Sequence, residues 1–187
     1  MRIIGGRHRG RVLPPVGAGD AAAHLRPTSD RVRESMFNLL VNGTHGDLVE
    51  DARVLDLFAG TGALGLEALS RGAVHVTFVD QGRTSLALLR KNVALLREDQ
   101  AVRVLDQDAT RLAANPGAPA TLVFLDPPYG KGLGEKALVA ASEGGWIAPD
   151  ATIVWEESAP STPPPGFALV DRRKYGDTHV TLLRGST

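Results

Sequence analysis

An α/β fold, built on a mostly parallel sheet with helices on both faces, is what this sequence predicts. Three observations lead there. From residue 52 onward, short apolar runs alternate with helical stretches, and strands that alternate with helices pair in parallel and bury both faces of their sheet. The chain then closes on two β-rich runs separated by turn residues, which pair as a hairpin and bring in one antiparallel strand. Finally, 187 residues with 43% hydrophobic and 22% charged side chains suit a single globular domain, which at this size buries roughly 70% of its unfolded surface.

Each element has its own signal. Residues 2–5 and 10–13 read as two short strands around a glycine-containing turn, a small N-terminal hairpin. Residues 14–25, rich in Pro, Gly and Ala, read as a loop. Residues 30–41 read as a helix capped by Thr28 or Ser29, with Val32, Met36, Leu39 and Leu40 on one face. The first apolar strand spans 53–57, and a helix over 63–71 stops at Gly72. A second strand (74–79) and helix (83–97) follow, then a weaker strand at 102–105 and a buried-type strand at 121–125. A helix over 135–142 and a strand at 152–155 complete the alternation. The terminal hairpin joins 167–171 to 179–183 through Tyr175, Gly176 and Asp177, and places an antiparallel strand at the sheet edge. The stretch 160–166 is Pro-rich and too short for a domain linker. The expected organisation is a basic hairpin arm over 1–27 and one α/β domain over 28–187.

Composition excludes several classes of function. Without cysteine the chain has no disulfide framework, thiolate zinc site or cysteine nucleophile. Its five histidines (His8, His24, His45, His75, His179) show no metal-ligand spacing. No apolar run approaches the ~18 residues of a membrane span. No apolar segment follows the four arginines of residues 1–11, so no secretory signal is read there. A soluble cytoplasmic protein without a metal is the expectation. The formal net charge is zero, which rules out a uniformly basic nucleic-acid binder. Residues 1–35, however, hold seven arginines against three acids, a net +4, and the rest of the chain carries −4. A basic arm on an acidic body points to an anionic partner such as RNA or DNA. A solvated arm in a chain with 17 Arg and only 4 Lys is the plainer alternative.

The first strand runs into Asp56-Leu57-Phe58-Ala59-Gly60-Thr61-Gly62-Ala63-Leu64-Gly65. Gly60, Gly62 and Gly65 satisfy G-x-G-x-x-G, a pattern that a chain of this glycine content shows by chance about one time in four. Its position between strand and helix raises its value. So does Asp80, which ends the second strand and can accept hydrogen bonds from both hydroxyls of a ribose. Two ligands fit a ribose acid beside a glycine turn. A dinucleotide would put its pyrophosphate at the helix N-terminus, whereas S-adenosylmethionine carries an ammonium and a sulfonium. Asp56 discriminates, because a carboxylate there repels the first and attracts the second, a difference of about 4 kcal/mol at 4 Å and an effective dielectric of 20. Its alternative role is a helix-capping acid. After the third strand, Asp108 is placed to accept from an adenine amine with the Ala109 amide alongside; a turn or cap acid fits it equally.

The fourth strand delivers Asp126-Pro127-Pro128-Tyr129 at its C-terminal end, where open α/β sheets bind ligands. Chance gives this tetrapeptide about once in two thousand such chains, so it is much the stronger motif. An exocyclic base amine is a poor nucleophile because its lone pair is delocalised into the ring. The Asp126 carboxylate and the Pro127 carbonyl can accept its two N–H groups and favour a pyramidal nitrogen aimed at a methyl donor. The two prolines fix φ, and Tyr129 offers a face on which an extruded base can stack.

The order Asp56, Gly60-x-Gly62, Asp80, Asp108, Asp126-Pro-Pro-Tyr129 resembles the class I S-adenosylmethionine-dependent methyltransferases that modify base amines. At the N-terminus, Arg2-Ile3-Ile4-Gly5-Gly6-Arg7-His8-Arg9-Gly10-Arg11 and Arg26-Pro27-Thr28-Ser29-Asp30-Arg31-Val32-Arg33-Glu34-Ser35-Met36-Phe37-Asn38 are similar to the RsmD family of bacterial 16S ribosomal RNA guanine-N2 methyltransferases. The resemblance implies a Rossmann-like, seven-stranded sheet with an antiparallel strand 7 and a small N-terminal hairpin. It implies methyl transfer to N2 of one guanine in 16S rRNA, on the assembled or assembling 30S subunit, with S-adenosylhomocysteine as the product; a monomer is the expectation for the chain. Asp56, Phe58, Gly60, Gly62, Asp80, Asp108 and Ala109 then hold the cofactor, and Asp126, Pro127, Pro128 and Tyr129 hold the base. Arg2, Arg7, Arg9, Arg11, Arg26, Thr28, Arg31 and Arg33 meet RNA. Some guanine-N2 enzymes have Asn where this chain has Asp126, so the tetrapeptide does not by itself identify the base. A DNA adenine-N6 or cytosine-N4 methyltransferase and a non-catalytic ribosome assembly factor are the competing readings.

Overall fold

Among the described residues, seven strands and four helices follow one another much as the apolar runs require. In chain order they are α1 (Asp30–Asn42), β1 (Arg53–Leu57), α2 (Ala63–Ser70), β2 (His75–Asp80), α3 (Arg83–Leu96), β3 (Val102–Asp106), β4 (Ala120–Leu125), α4 (Leu133–Glu143), β5 (Ile147–Glu157), β6 (Phe167–Tyr175) and β7 (Thr178–Gly185). The structure is a computed structural model that describes residues 1–14 and 29–185. Most of the 14–25 loop, with Arg26 and Thr28, lies outside the described residues. The remaining candidate cap is in place: the Ser29 hydroxyl accepts from the Val32 amide at the start of α1.

The sheet order is β3-β2-β1-β4-β5-β7-β6. The first five strands in that order pair in parallel, and β7 is antiparallel to both of its neighbours. The chain winds outward from β1 to β2 and β3, then crosses back to β4 on the other side of β1. Right-handed crossovers in opposite directions put their helices on opposite faces. Accordingly α1, α2 and α3 cover one face, around Phe37, Leu66, Phe78, Leu89 and Phe124. On the other face α4 packs through Ala137, Leu138 and Ala141 on Leu55, Val123, Ile153 and Trp155. The reversal between β1 and β4 opens a crevice at their C-terminal ends, the ligand position in open sheets.

One expectation is corrected. The terminal hairpin forms, but its antiparallel strand is not at the edge: β7 inserts between β5 and β6, and β6 is the rim. The side chains explain the order. β7 is apolar on both sides, with Val180 and Leu182 in one core and Leu183 in the other. β6 carries Arg172, Arg173 and Lys174, all exposed, and charge on an outer strand blocks further pairing.

The N-terminal hairpin contracts to a single antiparallel bridge, Arg2 to Val12, around a 3-10 turn at Gly6–His8. Ile3 donates to the Arg11 carbonyl, Gly10 to Ile3 and Leu13 to Met1. Ile3 and Leu13 are buried in the same core as α1 and α2. Gly6 has φ +71° and a Cβ there would fall 1.7 Å from the Ser70 carbonyl oxygen, so only glycine lets the turn lie against α2.

Candidate active site at the strand tips

Register brings the sequence motifs together. Leu57 pairs with Val79 on β2 and with Leu125 on β4. The next residues, Phe58, Asp80 and Asp126, therefore leave the sheet at one level, with Phe58 between the two acids. Phe58 has φ +60°, a left-handed conformation that is unusual for an aromatic residue and marks a tightly constrained turn. The Asp126 amide donates to the Leu57 carbonyl at 3.4 Å, which ties the tetrapeptide to the start of the glycine turn.

The glycines have packing reasons. Gly62 caps α2 with φ +80°, and a Cβ on it would lie 2.4 Å from Leu89 Cδ1. A Cβ on Gly65 would lie 2.4 Å from Phe78 Cε1 and 2.7 Å from Val76 Cγ1. Glycine at 65 thus lets the helix rest directly on β2, while Gly60, at φ +56°, turns the chain over the strand tips.

The two central acids are held by backbone amides. Asp80 Oδ2 accepts from the Gly60 amide at 2.8 Å and Oδ1 from the Gly82 amide at 2.7 Å. Burial nevertheless raises its pKa above the usual carboxylate value, with Asp106 adding to the rise. Asp56 is only 2% exposed, and its Oδ2 accepts from the Gly65 amide at 2.9 Å. Burial pushes its pKa up to about 8 against that hydrogen bond, and Asp80 adds to the rise. Among the described residues neither acid forms an ion pair. Desolvated acids without a counter-ion among the described residues suit a cationic, hydroxyl-bearing ligand, whose charge favours the ionised form that burial opposes.

At the tip of β3, one oxygen of Asp108 accepts from both the amide and the hydroxyl of Thr110, at 2.9 and 2.8 Å. These bonds lower its pKa. The acid thus caps a 3-10 turn, with Ala109 buried behind it. The adjoining Gln107 amide donates to the Asp80 carbonyl at 3.1 Å, joining this tip to the next. At the tip of β4, Pro127 is buried, and Asp126, Pro128 and Tyr129 are half-buried. The Tyr129 hydroxyl donates to Glu156 Oε1 at 3.0 Å.

The candidate RNA-facing residues divide. Arg9, Arg11 and Arg31 are exposed. Arg2 is exposed beside Asp30 at 3.4 Å, and Arg7 is half-exposed and paired with Glu98 at 2.8 Å. Arg33 is corrected: it is 1% exposed and cannot face RNA. Its guanidinium bonds the Arg2 carbonyl and Asp30 and approaches Glu67 at 3.7 Å. Sequence reasoning missed Glu67, although a lone acid in the apolar run of α2 is a readable signal. It also missed Glu156, an acid at a strand end like Asp56, Asp80 and Asp126. The arm and the glycine turn meet where the Thr61 hydroxyl approaches Met1 Sδ at 3.8 Å. Among the described residues there is no side-chain group suited to hold a metal ion and no helix long and apolar enough to cross a membrane.

A sheet of this order, with a glycine turn, an acid on the next tip and Asp-Pro-Pro-Tyr beside it, defines a class I S-adenosylmethionine-dependent methyltransferase. Comparison with known proteins narrows the class. The model of the family described as conserved hypothetical protein 95 matches residues 1–184, and the chain belongs to that family, the RsmD methyltransferases. It is 43% identical to ribosomal RNA small subunit methyltransferase D of Escherichia coli (strain K12) over 98% of this chain and 89% of that protein. It is 35% identical to the putative rRNA methyltransferase YlbH of Bacillus subtilis (strain 168) over 98% of each. Among solved structures, the putative methyltransferase yhhF from Escherichia coli superposes with a TM-score of 0.83 at 39% identity, covering 100% of this chain and 98% of that one. An RNA methyltransferase from Salinibacter ruber in complex with S-adenosyl-L-homocysteine, at 17% identity and a TM-score of 0.66 over 86% of this chain and 94% of that one, shares the fold.

Proposed function

We propose that this protein transfers the methyl group of S-adenosylmethionine to the exocyclic N2 amine of one guanine in 16S rRNA, acting as a cytoplasmic monomer on the 30S subunit. The observation that carries the reading is the level exit of Phe58, Asp80 and Asp126 from three adjacent strands. It sets a ribose acid and an amine-binding acid on either side of one turn. The names of the relatives supply the substrate class, and the resemblance of the N-terminal blocks supplies the base.

When bound, S-adenosylmethionine supplies a methyl group already activated on a sulfonium. The chain's own work is to bind and to orient. Asp80 receives the ribose hydroxyls, sharing its oxygens with the Gly60 and Gly82 amides. Asp56 faces the methionine ammonium, whose charge favours the ionised carboxylate that burial opposes. Phe58, Gly60 and Gly62 shape the turn around the methionine, and Asp108 with the Ala109 amide receives the adenine. Asp126 and the Pro127 carbonyl accept the two N–H groups of the guanine amine, Pro128 stiffens the turn, and Tyr129 stacks on the base. Orientation of this kind contributes roughly 7–11 kcal/mol in favourable cases. In the arm assigned to 1–27, Arg2, Arg7, Arg9 and Arg11 meet the RNA backbone together with Arg31 of α1, and Arg26 and Thr28, outside the described residues, keep the same assigned role. The domain over 28–187 carries the chemistry.

Transfer of radiolabelled methyl to 30S subunits from cells lacking this protein tests the reading, with mass spectrometry locating the product on guanine N2. Transfer to duplex DNA instead, or RNA binding without transfer, would overturn it.

A further inference from the structure

The loop after β4 is held from outside the tetrapeptide. β5 ends on Trp155, Glu156 and Glu157, and its register pairs Leu125 of β4 with Trp155. The two strands therefore finish side by side, and consecutive acids of β5 meet consecutive residues of the loop. Glu156 Oε1 accepts from the Tyr129 hydroxyl at 3.0 Å, and Glu157 Oε1 accepts from the Gly130 amide at 3.2 Å. Glu157 Oε1 is itself fixed by the Ser158 amide at 2.8 Å.

Glu156 is 3% exposed and stands on a strand flanked by β4 and β7, so its backbone is anchored on both sides. Burial and the Glu156 charge together hold the Tyr129 phenol well above its ordinary ionisation range, so it is a donor at neutral pH. A hydroxyl pinned at the far end of the ring fixes the direction of the side chain, and because a phenolic O–H prefers to lie in the ring plane, the direction of the acceptor also biases that plane. A carboxylate acceptor makes that pin a charge-assisted bond, about twice as strong as a neutral one.

We propose that Glu156 is a positioning residue. Through the Tyr129 hydroxyl it fixes the plane against which the target base stacks, and thereby the aim of the base amine held by Asp126. This rests on the base-stacking role given to Tyr129 above. It assigns a function to a residue outside the tetrapeptide, and it gives a reason for Tyr rather than Phe at 129: only the phenol can reach the anchor.

Single-turnover methylation of 30S subunits tests it in Tyr129→Phe, Glu156→Ala, Glu156→Gln and the Tyr129→Phe/Glu156→Ala double variant. Calorimetry with S-adenosylmethionine and thermal unfolding run alongside. Glu156→Ala is expected to slow the step roughly tenfold, the loss of one hydrogen bond to a charged group, with cofactor affinity unchanged. Glu156→Gln, which keeps an acceptor oxygen, recovers most of the rate. The double variant is no slower than Tyr129→Phe alone, because the glutamate acts through the hydroxyl. Multiplying losses in the double variant, or a wild-type rate in Glu156→Ala, would overturn the proposal while leaving the function intact. Failure of the wild-type protein to methylate 30S RNA would overturn both. A readout independent of activity comes from the chain having two tyrosines. In a Tyr175→Phe background, the ring-carbon NMR signal of Tyr129 should shift in Glu156→Gln and in Glu156→Ala; an unmoved signal also counts against the anchor.

Discussion

The two ends of α2 each involve a fully buried carboxylate, and the two are treated in opposite ways. At the N-terminal end, Asp56 accepts from the Gly65 amide and has no cation among its described neighbours. At the C-terminal end, Glu67 is 0% exposed and accepts from the Ile4 and Gly5 amides at 2.8 Å each and from Arg71 Nε at 2.7 Å. Arg33 stands 3.7 Å away. Ser70 completes this end by donating to the Gly5 carbonyl and accepting from the His8 amide, and Arg71 lies over the Phe37 ring. One end is saturated by the protein itself and fastens the arm. The other is under-compensated, and burial raises its pKa, the kind of perturbation that clusters at functional sites.

The largest effect is expected where compensation is complete. Glu67→Ala leaves the Arg33 charge buried with one partner fewer and strands two backbone amides. It should cost about 3–5 kcal/mol in chemical denaturation, and a loss of less than about 1 kcal/mol, the range of an exposed pair, would show that the arm is held by packing alone. Next comes the site. Asp126→Ala should reduce single-turnover methylation about 10²–10³-fold with S-adenosylmethionine affinity nearly kept, as when one directed polar partner of a reacting group is removed; a normal rate would remove Asp126 from the mechanism.

The third test uses pH. Because the folded Asp56 pKa of about 8 exceeds its ordinary value of 3.8, the folded state holds the extra proton between them. The stability contributed by the neutral acid is full below pH ~4 and is lost as pH rises through about 8. Asp56→Asn should flatten that decline in denaturation curves taken at about pH 5 and about pH 8. In the wild type, cofactor binding near neutral pH should release a proton, seen as a buffer-dependent binding enthalpy that Asp56→Asn abolishes. The smallest effect concerns the arm surface. Replacing Arg9, Arg11 and Arg31 together should lower the salt dependence of RNA binding by roughly 0.7–0.9 for each phosphate no longer neutralised. An unchanged slope would make these arginines a solvated face, leaving the arm purely structural.

Local pattern made much of this legible. The strand–helix alternation, the glycine turn, Asp80 and the tetrapeptide are read directly, because strand periodicity and turn chemistry are short-range. Partners distant in sequence were not. Arg33 is a charged residue on a helix, and nothing near it announces that Glu67 and the Arg2 carbonyl will enclose it. Glu156 looks like the polar end of a strand until β4 and β5 are seen to finish together. The edge expectation failed for the same reason: a hairpin fixes which two strands pair, not which of them also joins β5.

The sequence by itself determined the class of fold, the order of its elements and the chemistry available at each strand tip, since these follow from the residue types and their spacing. Only the tertiary structure decided which charges face solvent and which are enclosed, where β7 inserts, and that a glutamate from β5 holds the tyrosine of the β4 loop. These depend on pairings closed across tens of residues, whose outcome is set by burial and register after the chain has packed.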